Sequence, residues 1–265
     1  MRALTLSLLA GLALATPAAA DALRRLDTGT DSKGWEAVGR LNLDGKGFCT
    51  GALIAPDLVL TAAHCLHDRK TGARIDPARI EFLAGWRNGR AAAYRSVRKA
   101  ATHPGYVFRG DDGSGDVRHD LALLRLDQPI RLPSITPYET GAQPAQGARV
   151  GVVSYARDRS EAASLQEVCH VLRHQPGMMV LSCDVDFGSS GAPVFSMDGG
   201  VPRVVSVVAA KAEMTGQKVA LGTDLNADLA ALRAALDQPA PMGRSLPQIG
   251  TSEGGAKFVK GRPAP

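Results

Sequence analysis

Asp186-Phe187-Gly188-Ser189-Ser190-Gly191-Ala192-Pro193-Val194-Phe195 is the stretch on which the reading of the fold turns. Gly188, Gly191 and Pro193 bracket two adjacent hydroxyls, Ser189 and Ser190. An apolar hairpin pattern follows, Pro193–Phe195 and then Val201–Val208, across Asp198-Gly199-Gly200. Glycine permits backbone dihedrals and close approaches that a Cβ resists. A serine among glycines can therefore stand at the tip of a tight turn with backbone N–H groups beside it, the arrangement that stabilises a developing oxyanion. A Gly/Ser string alone reads as a turn. Two upstream blocks give this one chemical meaning.

Thr61-Ala62-Ala63-His64-Cys65 follows the apolar run Leu53–Leu60, and His119-Asp120 opens the run Leu121–Leu126. A serine hydroxyl is a poor nucleophile at neutral pH and needs a base, usually histidine. The imidazole in turn needs a carboxylate to fix its tautomer and stabilise the imidazolium. His64, Asp120 and Ser190 supply these functions. The carboxylate of Asp120, at the head of an apolar strand, would be costly to bury without such a partner. Ser189 is the alternative nucleophile, and the glycine spacing favours Ser190.

The three blocks resemble those of the chymotrypsin/trypsin-fold serine proteases, with Thr-Ala-Ala-His-Cys at 61–65, Asp-Leu-Ala-Leu at 120–123 and Gly-Ser-Ser-Gly-Ala-Pro at 188–193. The resemblance spans about residues 34–237 and extends to the bacterial branch that includes the glutamyl endopeptidases. It implies a secreted serine endopeptidase with His64, Asp120 and Ser190 as catalytic triad and the N–H groups of Gly188 and Ser190 as oxyanion hole. Asp184 stands where the trypsin branch places a carboxylate that binds Lys or Arg, and Ser206 and Val208 fall on its pocket wall. A preference for basic residues is the resulting expectation. Val205 occupies the place where the glutamyl endopeptidases use histidine, which argues against preference for glutamate. Relatives activated by cleavage carry an aspartate just before the nucleophile. Ser189 stands there, so the oxyanion turn must be held some other way. A non-catalytic binding module on the same fold is the rival reading; such modules usually lose a triad residue, and this chain keeps all three.

The four cysteines, Cys49, Cys65, Cys169 and Cys183, allow three pairings. The resemblance implies Cys49–Cys65, closing the loop that holds His64, which leaves Cys169–Cys183. Zinc ligation lacks a CxxC pair or His/Cys cluster. His67, three residues after His64, does not complete a metal site, and Asp111, Asp112 and Asp116 lack EF-hand spacing. No metal or cofactor is expected.

Arg2, the apolar stretch Leu4–Ala15 and the small residues ending at Ala20 have the parts of a secretory signal peptide, residues 1–20. Export, to the outside or a periplasm, favours disulfides, and no later stretch is long and apolar enough to span a membrane. The net charge of +5 lies largely at the ends: residues 21–238 carry 26 bases against 25 acids. A nucleic-acid partner would need a concentrated basic patch, and none is visible. The resemblance implies protein or peptide substrates, and a monomer is expected.

Residues 21–33 read as a mobile N-terminal segment, 34–238 as the protease domain and 239–265 as a disordered tail rich in Pro, Gly, Lys and Arg. Short strand patterns at Trp35–Leu43, Phe48–Ile54, Leu58–Ala62, Arg79–Trp86, Ala92–Ala101 and Leu121–Leu126 make one half. Val150–Tyr155, Glu167–Arg173, Met178–Cys183 and Val201–Val208 belong to the other, with a proline-rich crossover near 127–140. Together they fit an all-β fold of two barrels, and the resemblance implies that these are two six-stranded antiparallel barrels. Leu225, Leu229, Leu232 and Leu236 recur at helical spacing and predict a C-terminal helix opening at Asp224 or Asn226.

Overall fold

The computed structural model describes residues 23–110, 116–225 and 229–238. The expected signal peptide, the tail from 239 and the Asp111–Asp112 part of the acidic loop lie outside these residues.

Alternation of apolar and polar residues, punctuated by Gly turns, gives the chain its strands. After a short β1 (Arg24–Arg25) come β2 (Val38–Leu43), β3 (Gly47–Ala55), β4 (Leu58–Thr61), β5 (Ile80–Ala84), β6 (Ala93–Thr102) and β7 (Ala122–Leu126). Asp44 and Gly45, with φ of 54° and 66°, turn β2 back onto β3. Apart from β1, these strands close into an antiparallel barrel in the order β2-β3-β4-β7-β6-β5. Its interior is filled by Leu41, Leu53, Leu60, Phe82 and Leu123, none of them exposed. Each such side chain contributes roughly 1.5–3 kcal/mol by leaving water.

The second half repeats the plan. β8 (Arg149–Ala156), β9 (Arg159–Gln175), β10 (Met178–Leu181), β11 (Pro193–Ser196), β12 (Arg203–Met214) and β13 (Gln217–Asp224) run β9-β10-β13-β12-β11-β8, and β8 pairs again with β9 to close the ring. Closure removes the open edges that would otherwise invite aggregation. α1 (Leu229–Asp237) buries Leu232 and Leu236, and the Lys99 ammonium donates to the carbonyls of Leu236 and Gln238 at its C-terminal end. That is the favourable end for a cation.

Two barrels and a C-terminal helix match the expectation, with three differences. β9 begins eight residues earlier than its apolar core suggests, and β13, which carries weak alternation, has no counterpart in the predicted strands. The expected helix caps are not both available: Asp224 ends β13 and Asn226 lies outside the described residues.

The third difference concerns residues 21–33, expected to be mobile because they are polar. Those described, 23–33, lie against both barrels. Arg24 and Arg25 pair with Leu165 and Ser164 of β9, Leu26 is 2% exposed, and its N–H donates to the Ala163 carbonyl at 2.9 Å. The same arm reaches the first barrel. Arg87 donates to Ser32 Oγ at 2.6 Å and Asn88 Nδ2 to the Asp27 carbonyl at 3.2 Å. One buried leucine and paired backbone outweigh the polar composition.

Between the barrels, Tyr138 on the crossover packs edge-on against Phe195, with ring centroids 4.7 Å apart, and Trp35 against Phe195 at 5.2 Å. The seam is thus apolar, and the cleft opens beside it.

Candidate active site

β4 ends at Thr61, and a single 3₁₀ turn, Ala63–Leu66, follows. Ala63, Cys65 and Leu66 point inward, and Cys65 is bonded to Cys49 on β3. With its neighbours anchored, His64 is the residue the turn presents outward. A second 3₁₀ turn, Val117–His119, delivers Asp120 just ahead of β7.

Asp120 is 5% exposed, and both its oxygens serve His64. Oδ1 accepts from the His64 backbone N–H at 2.8 Å, and Oδ2 lies 2.6 Å from the ring Nδ1. The double bond to one residue offsets the desolvation of the carboxylate. It also fixes the ring: a carboxylate only accepts, so the proton sits on Nδ1 and Nε2 is left as the basic atom. Tyr106 stands close by, and burial first, then the charge of Asp120, pushes its phenol well above the ordinary range.

Ser190 enters from the second barrel on the turn before β11. Gly188 and Gly191 have φ of 101° and 78°. A Cβ on Gly188 would fall 2.4 Å from the Phe48 ring, and one on Gly191 2.1 Å from Thr61 Oγ1. Both positions exclude any side chain. Ser189 is wholly buried, its hydroxyl 3.2 Å from Ser154 Oγ and 3.4 Å from the Tyr155 carbonyl. Ser190 is partly exposed and lines the same cleft as His64 and Asp120, a cavity of about 270 Å³. No hydrogen bond joins the Ser190 hydroxyl to the His64 ring among the described residues; such bonds often tighten only with substrate in place.

The amides of this turn divide. Phe187 N–H donates to Asp186 Oδ1, Ser189 N–H to the Asp186 carbonyl and Gly191 N–H to the Val208 carbonyl. Those of Gly188 and Ser190 donate to nothing among the described residues, leaving two donors available beside the hydroxyl. Thr50 on β3 anchors the turn: its N–H donates to the Ser190 carbonyl at 2.8 Å and its hydroxyl to the Gly188 carbonyl at 2.8 Å.

The three residues expected to form the specificity pocket are not brought together. Val208 lines the cleft. Ser206 is buried and donates to the Thr223 carbonyl at 2.8 Å. Asp184 is exposed and outside the cleft lining, because Cys183 and Val185 on either side turn inward and alternation sends it out. Besides Asp120, the carboxylate that reaches the cleft is Asp186, 2.6 Å from Lys211 Nζ. Its pKa is lowered chiefly by that hydrogen bond and next by the Phe187 amide. Phe187 and Lys211 are cleft residues that the motifs do not reveal. They follow from the fold, which lays β12 beside the nucleophile turn.

Both disulfides match the pairing expected, Cys49–Cys65 and Cys169–Cys183. Cys49, Cys65 and His64 lie close enough together to suggest a metal site. With the sulfurs bonded to each other, that group has no thiolate to offer.

Residues 49–205 match the family model described as Trypsin-like peptidase domain. The chain is 27% identical over 150 residues to a glutamyl endopeptidase of Bacillus licheniformis, covering 56% of this chain and 45% of that protein. It is 30% identical over 166 residues to serine protease 23 of Mus musculus, covering 56% of this chain and 42% of that one. The match thus spans less than half the length of these relatives. A solved structure of a Glu endopeptidase in complex with MPD is similar at a TM-score of 0.66, over 81% of this chain and 97% of that chain, with 17% identity. At that identity the likeness concerns the fold.

Proposed function

Since this chain belongs to the trypsin-like peptidase family, we propose that it is an exported serine endopeptidase working through an acyl-enzyme. Ser190 attacks the scissile carbonyl, His64 Nε2 takes its proton and passes it to the leaving amine, and Asp120 holds the ring and stabilises the imidazolium. The N–H groups of Gly188 and Ser190 receive the oxyanion, each contributing about 3 kcal/mol to the transition state. The observation that carries this reading is the paired His64–Asp120 contact opening onto the cleft that Ser190 also lines. The two disulfides support export.

For substrate preference, the position of Asp184 weakens the expectation of basic residues. The carboxylate within reach, Asp186, is engaged by Lys211, and the wall beside Ser190 is built from Val185, Val208 and Ala209. The geometry favours small apolar side chains on the acyl side of the cleaved bond. Peptide anilides ending in Ala, Val, Glu or Arg test this, and fastest turnover of the Arg substrate would restore the basic preference.

Casein hydrolysis by the purified protein, with Ser190→Ala and Ser189→Ala beside it, tests the activity. Cleavage by wild type and Ser189→Ala, none by Ser190→Ala, and a phosphonate label on Ser190 are expected. A stable protein that neither cleaves nor takes the label would overturn the reading.

A further inference from the structure

Phe187 is 40% exposed at the edge of the nucleophile turn, and three cations stand over its ring. Lys211 Nζ lies 4.0 Å from the centroid, and the guanidinium carbons of Arg157 and Arg69 lie 4.9 Å and 5.7 Å from it. The face of an aromatic ring attracts positive charge, but three cations gathered at one ring also repel each other. Asp186 answers Lys211. The ring separates two hollows. One is the cleft with Ser190 and the β12 wall. The other, about 800 Å³, is lined by His64, the Cys49–Cys65 pair, Gly188 and Phe187 but not by Ser190.

Charge in this second groove is one-sided. Lys46, Arg69, Lys70 and Arg157 line it against Asp68. The Lys46 ammonium is met by Asp44 and Asp68 at 3.0 and 2.9 Å, whereas Arg157, at the Phe187 end, has no carboxylate within ion-pair distance among the described residues. Because residues 21–238 are nearly neutral, this is a matter of placement, which the fold alone creates. Arg157 is fixed there by its own N–H, which donates to the Phe187 carbonyl at 2.7 Å.

Resting on the peptidase reading above, we infer that this groove receives the leaving-group half of the substrate and selects acidic residues just after the scissile bond. The leaving amine takes its proton from His64, so that half of the peptide must lie against the imidazole. The groove is a hollow that His64 lines and Ser190 does not. An aspartate or glutamate there meets the guanidinium group of Arg157, which binds a carboxylate in paired hydrogen bonds. Phe187 is the post that divides the two halves.

The test uses the purified full chain and peptides with one acyl half, followed by Asp-Asp, Ala-Ala or Lys-Lys. At low salt the Asp-Asp peptide should exceed Ala-Ala in kcat/KM by about tenfold, the sum of a few exposed ion pairs. The ratio should shrink in high salt as these contacts are screened. Arg157→Glu should invert the order, and Lys70→Glu, also on the groove's lining, should reduce the ratio. Equal rates, or a faster Lys-Lys peptide, would overturn the inference while leaving the peptidase intact. Binding separates the two readings when no peptide is cut. A fluorescent Asp-rich hexapeptide should bind the Ser190→Ala protein more tightly than its Ala-rich counterpart, with the gap closing in salt, and equal binding would overturn the inference.

Discussion

The Thr50 hydroxyl donates to the Gly188 carbonyl at 2.8 Å and accepts the Tyr155 N–H at 3.1 Å, so a side chain of the first barrel holds the nucleophile turn of the second. Its own carbonyl accepts from Thr61 Oγ1 at 2.8 Å. Here is a physical answer to how the turn is ordered with Ser189, not an aspartate, before Ser190. Thr50→Val keeps the shape but strands a buried carbonyl and a buried amide, each costing about 1–3 kcal/mol. The expected result is a kcat lowered roughly ten- to a hundredfold with KM little changed, because the proposed oxyanion amides shift. Thr50→Ser should recover most of it. Steady-state kinetics on a chromogenic ester provide the check, and wild-type rates in Thr50→Val would separate this residue from the turn's function.

Asp120→Asn should preserve the fold, since an amide can still occupy the space. The side chain would no longer present two acceptors to His64, and the ring can settle in the wrong tautomer. A fall in kcat of roughly ten-thousandfold is expected, with a partial rise at high pH. A pH–rate profile measured beside circular dichroism distinguishes this from unfolding.

Asp116 tests the electrostatics of the turn that carries Asp120. Its hydrogen bond from Arg118 first, and then His119, hold its carboxyl down to about 2. The folded value lies below the unfolded one of about 3.9. The stabilisation is therefore present above pH 4 and is lost as pH falls toward 2. Asn retains the cap to the Arg118 N–H without the charge. In acid titrations followed by tryptophan fluorescence, Asp116→Asn should be less stable than wild type above pH 4, and the curves should converge near pH 2. A constant offset down to pH 2 would assign the loss to packing.

Removing the Cys49–Cys65 link frees a loop of 16 residues next to His64. Loop-closure entropy gives about 3 kcal/mol for such a bridge, or a melting temperature lower by roughly 10 °C in a domain of this size. The Cys49→Ala/Cys65→Ala pair should also lose activity below its melting point, as the His64 turn loosens. Calorimetry and rate measurements on the same sample check both.

The sequence was most legible where chemistry demands rare residue types at fixed places. His64, Asp120 and the glycines around Ser190 stand out because few other combinations hold a histidine, carboxylate and serine next to glycine turns. Strands with regular alternation were equally plain. β13 was not, because Gln217-Lys218-Val219-Ala220 carries little apolar contrast, and its place in the barrel comes from partners on β10 and β12. Asp184 was assigned to the pocket by its place in the resemblance, which does not register which way an extended residue faces. Phe187 and Lys211 carry no pattern at all; a separation of 24 residues becomes a 4.0 Å contact only once β12 lies alongside the turn.

The arm that begins at Arg24 crosses from β9 to the Arg87–Asn88 turn and so grips both shells at once. An outside protease that nicked the chain between Lys33 and Gly34 would leave every barrel strand intact yet unfasten this clasp. The shells would then be held by the ties that remain: Trp86 Nε1 on the Ser160 carbonyl at 3.2 Å, the Tyr155 hydroxyl on the Trp86 carbonyl at 2.9 Å, and Thr50 on the nucleophile turn.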